Sequence, residues 1–282
     1  MIVQVADSLN EQLVEGVLRI RNDIVNMCAC PEGGHFGGSM SIVEILACLY
    51  LHVMRGDPSN PTWKQRDIFI LSKGHGGIAL YATLAEAGYI PRSQLEEYAK
   101  PGSCLTAHPH PAIPGVESPT GSLGHGLALA VGYASAHKLT GEADRRCYVL
   151  MGDGELQEGS VWEAAAVAAA QELKNIVAII DRNRLQICGG TEEISLLEPL
   201  ADRWKAFGWN VREVDGHNLH DLVHALVPVR SSSRPTVVIA HTVKGKGAPA
   251  VSGQPRSHFA KLGEHQRRRV LASVRRSFEE GV

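Results

Sequence analysis

Residues 147–186, CYVLMGDGELQEGSVWEAAAVAAAQELKNIVAIIDRNRLQ, carry the stretch whose reading decides the fold. An apolar run ends in the turn GDG, small apolar residues then recur at helical spacing over 161–173, and a second apolar run, 176–180, precedes Asn183. Strand, turn, helix, strand, turn is one βαβ unit. Both of its turns lie at the carboxyl ends of parallel strands, the edge where open α/β sheets bind ligands. If the two strands are neighbours, Asp153 and Asn183 bring a carboxylate and an amide oxygen to one place. Hard oxygen donors of this kind suit Mg²⁺, which keeps phosphate and water oxygens at its other positions. Gly152 and Gly154 leave backbone N–H groups open to a phosphate.

Outward from this unit the same alternation continues. Apolar runs at 68–71, 210–214 and 236–240 predict three further strands, and helical spacing appears at 7–26, 76–87, 126–138, 197–207 and 219–229. In the first of these helices Leu9, Leu13, Val17, Ile20 and Ile24 mark one apolar face. A helix over 41–53 is expected to be capped by Ser41 with Glu44 three residues on. The pattern predicts an α/β fold, a mainly parallel sheet covered by helices on both faces. Residues 96–119 hold five prolines and no periodicity, which predicts a long ordered loop. Residues 245–263, rich in Gly, Pro, Ser and His, read as a flap or a connector to a last helix. There Arg267, Arg268, Arg269, Arg275 and Arg276 are expected to form a solvated face.

Composition narrows the function. The chain has 282 residues, 44% hydrophobic and 21% charged, so it can bury a sizeable core in one large domain or two modest ones. A net charge of -2 argues against nucleic acid and anionic membrane as partners. Six cysteines with no CxxC pair read as free thiols, and the chain begins without the pattern of a signal peptide, so a cytoplasmic location is expected. Glycine, at 29 residues, is in excess, as turns and close backbone approaches to a ligand require.

The GDG turn with Asn183 about thirty residues later resembles the cofactor motif of thiamine diphosphate enzymes. The resemblance sharpens to the N-terminal, diphosphate-binding half of the transketolase family. It is carried by GGHFGGSMSIVEILACLY (33–50), RDIFILSKGHGGIALYATLAEAGYI (66–90), TAHPHPAIPGVESPTGSLGHGLALAVGYA (106–134), GDGELQEGSVWEA (152–164), DRNRLQ (181–186) and IAHTVKGKG (239–247). The resemblance implies thiamine diphosphate held through Mg²⁺, with Ca²⁺ or Mn²⁺ as substitutes. The metal ligands would be Asp153, Asn183 and the carbonyl of Leu185, with Gly152 and Gly154 at the diphosphate. Gly121, Ser122 and Leu123, in TGSLG, would lie over the aminopyrimidine ring. A dinucleotide-binding reading of that glycine loop fails, because no strand immediately precedes it and Pro119 stands beside it.

By the same resemblance His75 faces the diphosphate, His108 the C1 hydroxyl of a bound sugar, and His35 belongs to an acid/base relay. Cleaving a ketose between C2 and C3 moves a proton from a hydroxyl, which an imidazole titrating near neutrality can serve. A fourth family histidine follows KGKG. His258 is its match, although SHFA departs from the family's surroundings there, and Arg184 and Cys188 also depart from common family residues. His110, His125, His217 and His241 match less well.

The resemblance covers the chain to about residue 265 and includes no pyrimidine-binding domain with its activating glutamate. It therefore implies residues 1–265 as a thiamine diphosphate and Mg²⁺ domain, 266–282 as a basic C-terminal helix or tail, and a split enzyme. A separate C-terminal subunit would supply the pyrimidine pocket, in an α2β2 heterotetramer acting on small sugar phosphates. Glu158 would meet the activating glutamate across the subunit interface; read without the resemblance, it is an acid at a helix N-terminus. The expected reaction is transfer of a two-carbon ketol unit from a ketose to an aldose. Two other readings stay open. One is a subunit of another thiamine diphosphate enzyme, either a 2-oxoacid dehydrogenase or a specialised two-carbon transferase. The other is a noncatalytic regulatory subunit that binds the cofactor.

Overall fold

All five apolar runs are strands in the computed structural model, which describes residues 2–229 and 232–279. They are β1 (Ile68–Leu71), β2 (Cys147–Gly152), β3 (Ile176–Arg182), β4 (Asn210–Asp215) and β5 (Thr236–His241). They form one sheet in the order β1-β2-β3-β5-β4, and every pairing is parallel. The inner strands read as continuous apolar runs because both faces are covered. Phe69, Tyr148, Leu150, Val177 and Ile179 pack on one side, against helices α1 (Ile2–Met27), α3 (Val43–Cys48) and α4 (Gly77–Glu86). Ile70, Val149, Met151, Ala178 and Ile180 pack on the other, against α5 (Gly126–Leu139) and α6 (Gly159–Ala170). The side chain of Leu9 and residues 280–282 lie outside what the structure describes.

Register fixes where the site falls. Gly152 pairs with Asp181, and Asp181 with Ala240, so the turns after β2, β3 and β5 open at one level of the sheet. Asp153, Asn183 and Thr242 each stand just beyond a strand end there.

Two local expectations are corrected. Residues 41–53 are not one capped helix. A short helix α2 (Phe36–Met40) ends just before the segment, which is divided between α3 and a π-helical turn at Leu49–Val53. Ser41 is no N-cap: it closes the C-terminal end of α2, and its hydroxyl donates to Asp181 Oδ2 at 2.8 Å. Glu44 instead makes a buried ion pair with Arg21 (2.8 Å) and meets His217 (3.1 Å). Burial works against its ionisation, yet Arg21 and His217 outweigh it and hold the carboxyl at about 2. The 197–207 helix is shorter, starting just after Pro199 and running over Leu200–Ala206.

Residues 98–125 contain no helix or strand, but they are ordered around buried Leu105 and Ile113 and by Tyr81 Oη donating to the Thr106 carbonyl at 3.0 Å. Residues 245–263 form a pinned connector. Gly34 and Ala260 exchange backbone hydrogen bonds of 2.9 Å, and Gly245 N–H donates to the Gly37 carbonyl at 3.0 Å. A Cβ on Gly37 would stand 2.6 Å from the Ser257 carbonyl oxygen, so glycine alone lets this segment lie against α2. Beyond it, the last helix (Glu264–Glu279) packs on α1 through buried Val274, while Arg268, Arg269, Arg275 and Arg276 are exposed.

Candidate functional site

A cavity of about 310 Å³ opens at the carboxyl edge of β2 and β3. Its wall includes nine of the residues singled out from sequence: His75, Gly121, Leu123, Gly152, Asp153, Gly154, Asn183, Leu185 and His258. Ser122 stands outside it, in a shallow groove with Thr120 and His125. Glu158 is exposed, and its Cβ packs against the backbone of Gly124.

The oxygen donors are held in place by main-chain geometry. Asp153 is 2% exposed; its Oδ1 accepts from Gly154 N–H at 2.8 Å, and its Oδ2 accepts from Arg184 N–H and from Arg182 Nη1 at 3.3 Å. Burial and the neighbouring Asp181 charge push its carboxyl up to about 6 against those donors, so the group is a desolvated anion short of positive charge. Asn183 Nδ2 donates to Asp181 Oδ2 at 2.9 Å, and its Oδ1 accepts from Leu185 N–H at 3.1 Å. The Leu185 carbonyl is turned to a cation already, accepting from Lys244 Nζ at 3.2 Å. One carboxylate, one amide oxygen and one main-chain carbonyl fit a hard divalent cation. Among the described residues no cluster of three His, Cys, Asp or Glu side chains offers a rival metal site. Buried Gln186 Nε2, in the same wall, has no hydrogen-bond partner, a donor that an anionic ligand could take.

Four imidazoles meet beside this cavity. The His35 ring lies 5.7 Å from His75, 5.7 Å from His108 and 5.3 Å from His258, centroid to centroid. His108 backs onto Gly121, where a Cβ would come within 3.0 Å of its ring. Burial, Lys73 and the neighbouring rings hold His75 well below its ordinary range. Burial with His108 lowers His35, and burial with Lys244 brings His258 down to about 4. The three are neutral at physiological pH, able to donate at one nitrogen and accept at the other. Nδ1 of His35 and of His258 is buried without a partner. The remaining histidines serve elsewhere: His217 bonds Glu44 and the Val243 N–H, His241 bonds Glu213, and His110 accepts from Ala112 N–H.

Neutral His258 makes a measurable prediction. An unfolded histidine protonates near 6.5 and His258 only near 4, so its contribution to stability is complete above pH 6.5 and drains away between 6.5 and 4. Asp153 and Asp23, both at about 6, run the opposite way through part of that window. The readout is therefore a difference: His258→Gln should show a shallower fall of Tm between pH 6.5 and roughly 4.5 than the parent chain. Equal slopes would refute a buried neutral His258.

Motif reading overlooked the charged floor of the site. Lys73 (1% exposed) donates to Asp181 Oδ2 at 2.5 Å and to the Gly38 carbonyl at 2.9 Å. Asp181, fully buried, also accepts from Ser41, Thr242 and Asn183. Burial opposes its charge, but Lys73 and these donors hold its carboxyl below the usual carboxylate range. Lys244, lowered to about 8 by burial and by Lys73, is the second ammonium in the wall. A signal existed in the lysines beside glycine turns, SKGHGG and VKGKG, and in the acid that opens DRNRLQ.

The chain is similar to known proteins over most of its length. The family model for the thiamine diphosphate binding domain of transketolase matches residues 10–277. The chain is 44% identical over 243 residues to the 6-deoxy-6-sulfo-D-fructose transketolase subunit SqwG of a Clostridium species, covering 86% of this chain and 88% of the relative. It is 46% identical over 250 residues to one of the subunits of the apulose-4-phosphate transketolase of Actinobacillus succinogenes, covering 88% and 90%. Among solved structures, transketolase from Campylobacter jejuni superposes with a TM-score of 0.82 at 31% identity; the match covers 97% of this chain and 46% of that one.

Proposed function

Because the chain belongs to the family of transketolase thiamine diphosphate binding domains, we propose that it is the N-terminal subunit of a two-component transketolase. The observation that carries the reading is one of length and site together. The chain spans 88% and 90% of relatives named as transketolase subunits but 46% of a longer transketolase chain, and its own cavity supplies oxygen ligands, two ammonium groups and a histidine cluster.

In this reading Asp153, Asn183 and the Leu185 carbonyl hold Mg²⁺, and Lys244, His75 and the main chain of Gly154, whose N–H orients Asp153, face the diphosphate. Thiamine diphosphate, when bound, supplies the electron sink for breaking and making a carbon–carbon bond next to a carbonyl. The residues of the chain do the rest. Neutral His35 and His258, together with His108, can take a proton from a sugar hydroxyl, return it to the product and hold the hydroxyls of the transferred two-carbon unit. Lys73 is tied to Asp181, which balances its charge, so it is a fixed ammonium donor in the wall rather than one that moves with substrate. The substrates would be a ketose or ketose phosphate and an aldose acceptor. The names of the two relatives, which specify a sulfo-sugar and a branched sugar phosphate, favour a specialised two-carbon transfer as the second reading.

The partner subunit would cover the surface beside the cavity. Exposed Glu158 and the mainly apolar outer face of α5 and α6, where Leu129 is 38% and Val167 42% exposed and the charged side chains are Lys138 and Glu163, suit a docking face more than a solvated one. An α2β2 assembly in the cytoplasm completes the proposal. Among the described residues no helix is long and apolar enough to cross a membrane.

Reconstitution tests it. The isolated chain with thiamine diphosphate and Mg²⁺ should transfer no two-carbon unit above background, while adding a subunit that carries the pyrimidine-binding domain should restore ketol transfer. Product analysis with ketose phosphate against pyruvate separates this from a 2-oxoacid dehydrogenase. Full transfer by the chain alone would overturn the two-component reading.

A further inference from the structure

We propose that Glu155 is a positioning residue that fixes the 121–126 loop over the cavity, acting through Ser72 and Gly124. The proposal rests on the reading of that cavity as the thiamine diphosphate site. Glu155 lines the cavity at 2% exposure, and among the described residues no cation stands within ion-pair distance of it. A carboxylate in the wall of a site for an anion is electrostatically adverse, so its use must lie in what it holds.

Its two oxygens accept from three separate walls. Oε1 accepts from Ser72 Oγ and from Gly124 N–H at 2.8 Å, and Oε2 accepts from Gly152 N–H at 3.1 Å. Ser72 follows β1 and leads into Lys73, Gly124 belongs to the loop, and Gly152 ends β2 just before Asp153. Ser72 Oγ accepts in turn from Gly126 N–H at 3.0 Å, so its single proton goes to Glu155. The two glycine N–H groups can only donate. Every contact of the carboxylate is therefore an accepted bond, and an amide in its place must turn a donor against a donor. The approach is also too close for other residues in the loop: a Cβ on Gly126 would lie 2.3 Å from Ser72 Cβ, and one on Gly124 would lie 2.6 Å from Ser160 Oγ.

The test is hydrogen exchange on the full chain without cofactor, followed by calorimetry with thiamine diphosphate and Mg²⁺. Glu155→Ala, which removes all three accepted bonds, should raise amide exchange in peptides spanning 121–127 by about tenfold or more, leave peptides of α4 unchanged, and weaken cofactor binding by about tenfold. Ser72→Ala should raise exchange in the same loop peptide by a smaller factor, and it stands in for the first variant should that one not fold. Unchanged exchange over 121–127, or an equal rise throughout the chain, would overturn the positioning role. Should the parent chain bind no thiamine diphosphate, the cofactor reading fails, and the exchange measurement still decides what Glu155 holds.

Discussion

Asp153→Ala is expected to weaken Mg²⁺-dependent binding of thiamine diphosphate by at least about 100-fold, since even losing a residue that merely supports a metal ligand costs roughly 10–100-fold. Asp153 is the one side chain of the proposed ligand set that carries charge; Asn183 and the Leu185 carbonyl are neutral dipoles. Its environment has already removed water from it, and burial leaves the anion undercompensated at about 6. A divalent cation relieves that imbalance, which is the physical reason to expect tight coordination. The structural cost of the alanine should be contained, because Arg182 keeps Thr191, Glu192 and Glu198 as partners. Asp153→Asn removes the charge at nearly the same volume, at the cost of turning its amide nitrogen on one of its hydrogen-bond donors, and should lose a comparable factor. Calorimetry with and without Mg²⁺ reads both variants. If affinity and its metal dependence were unchanged, Asp153 would not be a ligand.

What sequence could show here depended on how far apart the cooperating residues are. The strands were legible because burial on both faces makes each a continuous apolar run, and Asp153 with Asn183 because one βαβ unit brings them together. Long-range polar pairings left no trace in the periodicity. Ser41 and Glu44 match a helix-capping pattern within four residues, yet the serine answers Asp181, 140 positions away, and the glutamate answers Arg21 and His217. Lys73 and Asp181 are 108 positions apart, and Glu155 and Ser72 are 83 apart. Periodicity cannot report such pairs, since neither member has a neighbour in sequence that requires it. The histidine cluster lay between these extremes. Resemblance named its members, but only the pinning of residues 245–263 against α2 shows how His258 reaches His35.

Lys73→Met is expected to destabilise the chain by about 3–5 kcal/mol, the range for breaking a buried ion pair by removing one partner. Its ammonium is the cation in contact with Asp181, and the two side chains are 1% and 0% exposed. Methionine fills nearly the same volume, so the loss comes from stranding a carboxylate among Ser41, Thr242 and Asn183, whose dipoles cannot replace a full charge. Chemical denaturation should show it as a lowered midpoint with an unchanged slope. A second substitution isolates the cause. Lys73→Met with Asp181→Asn removes both charges and should recover most of the stability, whereas additive losses would place the cost in packing instead. Function should not recover alongside it. The double variant leaves the net charge of the floor unchanged but still lacks the ammonium in the cavity wall, so thiamine diphosphate binding should remain weak while the melting curve returns toward that of the parent. That split is what distinguishes a lysine serving both the fold and an anionic ligand from one that serves the fold alone. A Lys73→Met cost below about 1 kcal/mol, the value of an exposed pair, would contradict the buried ion pair itself.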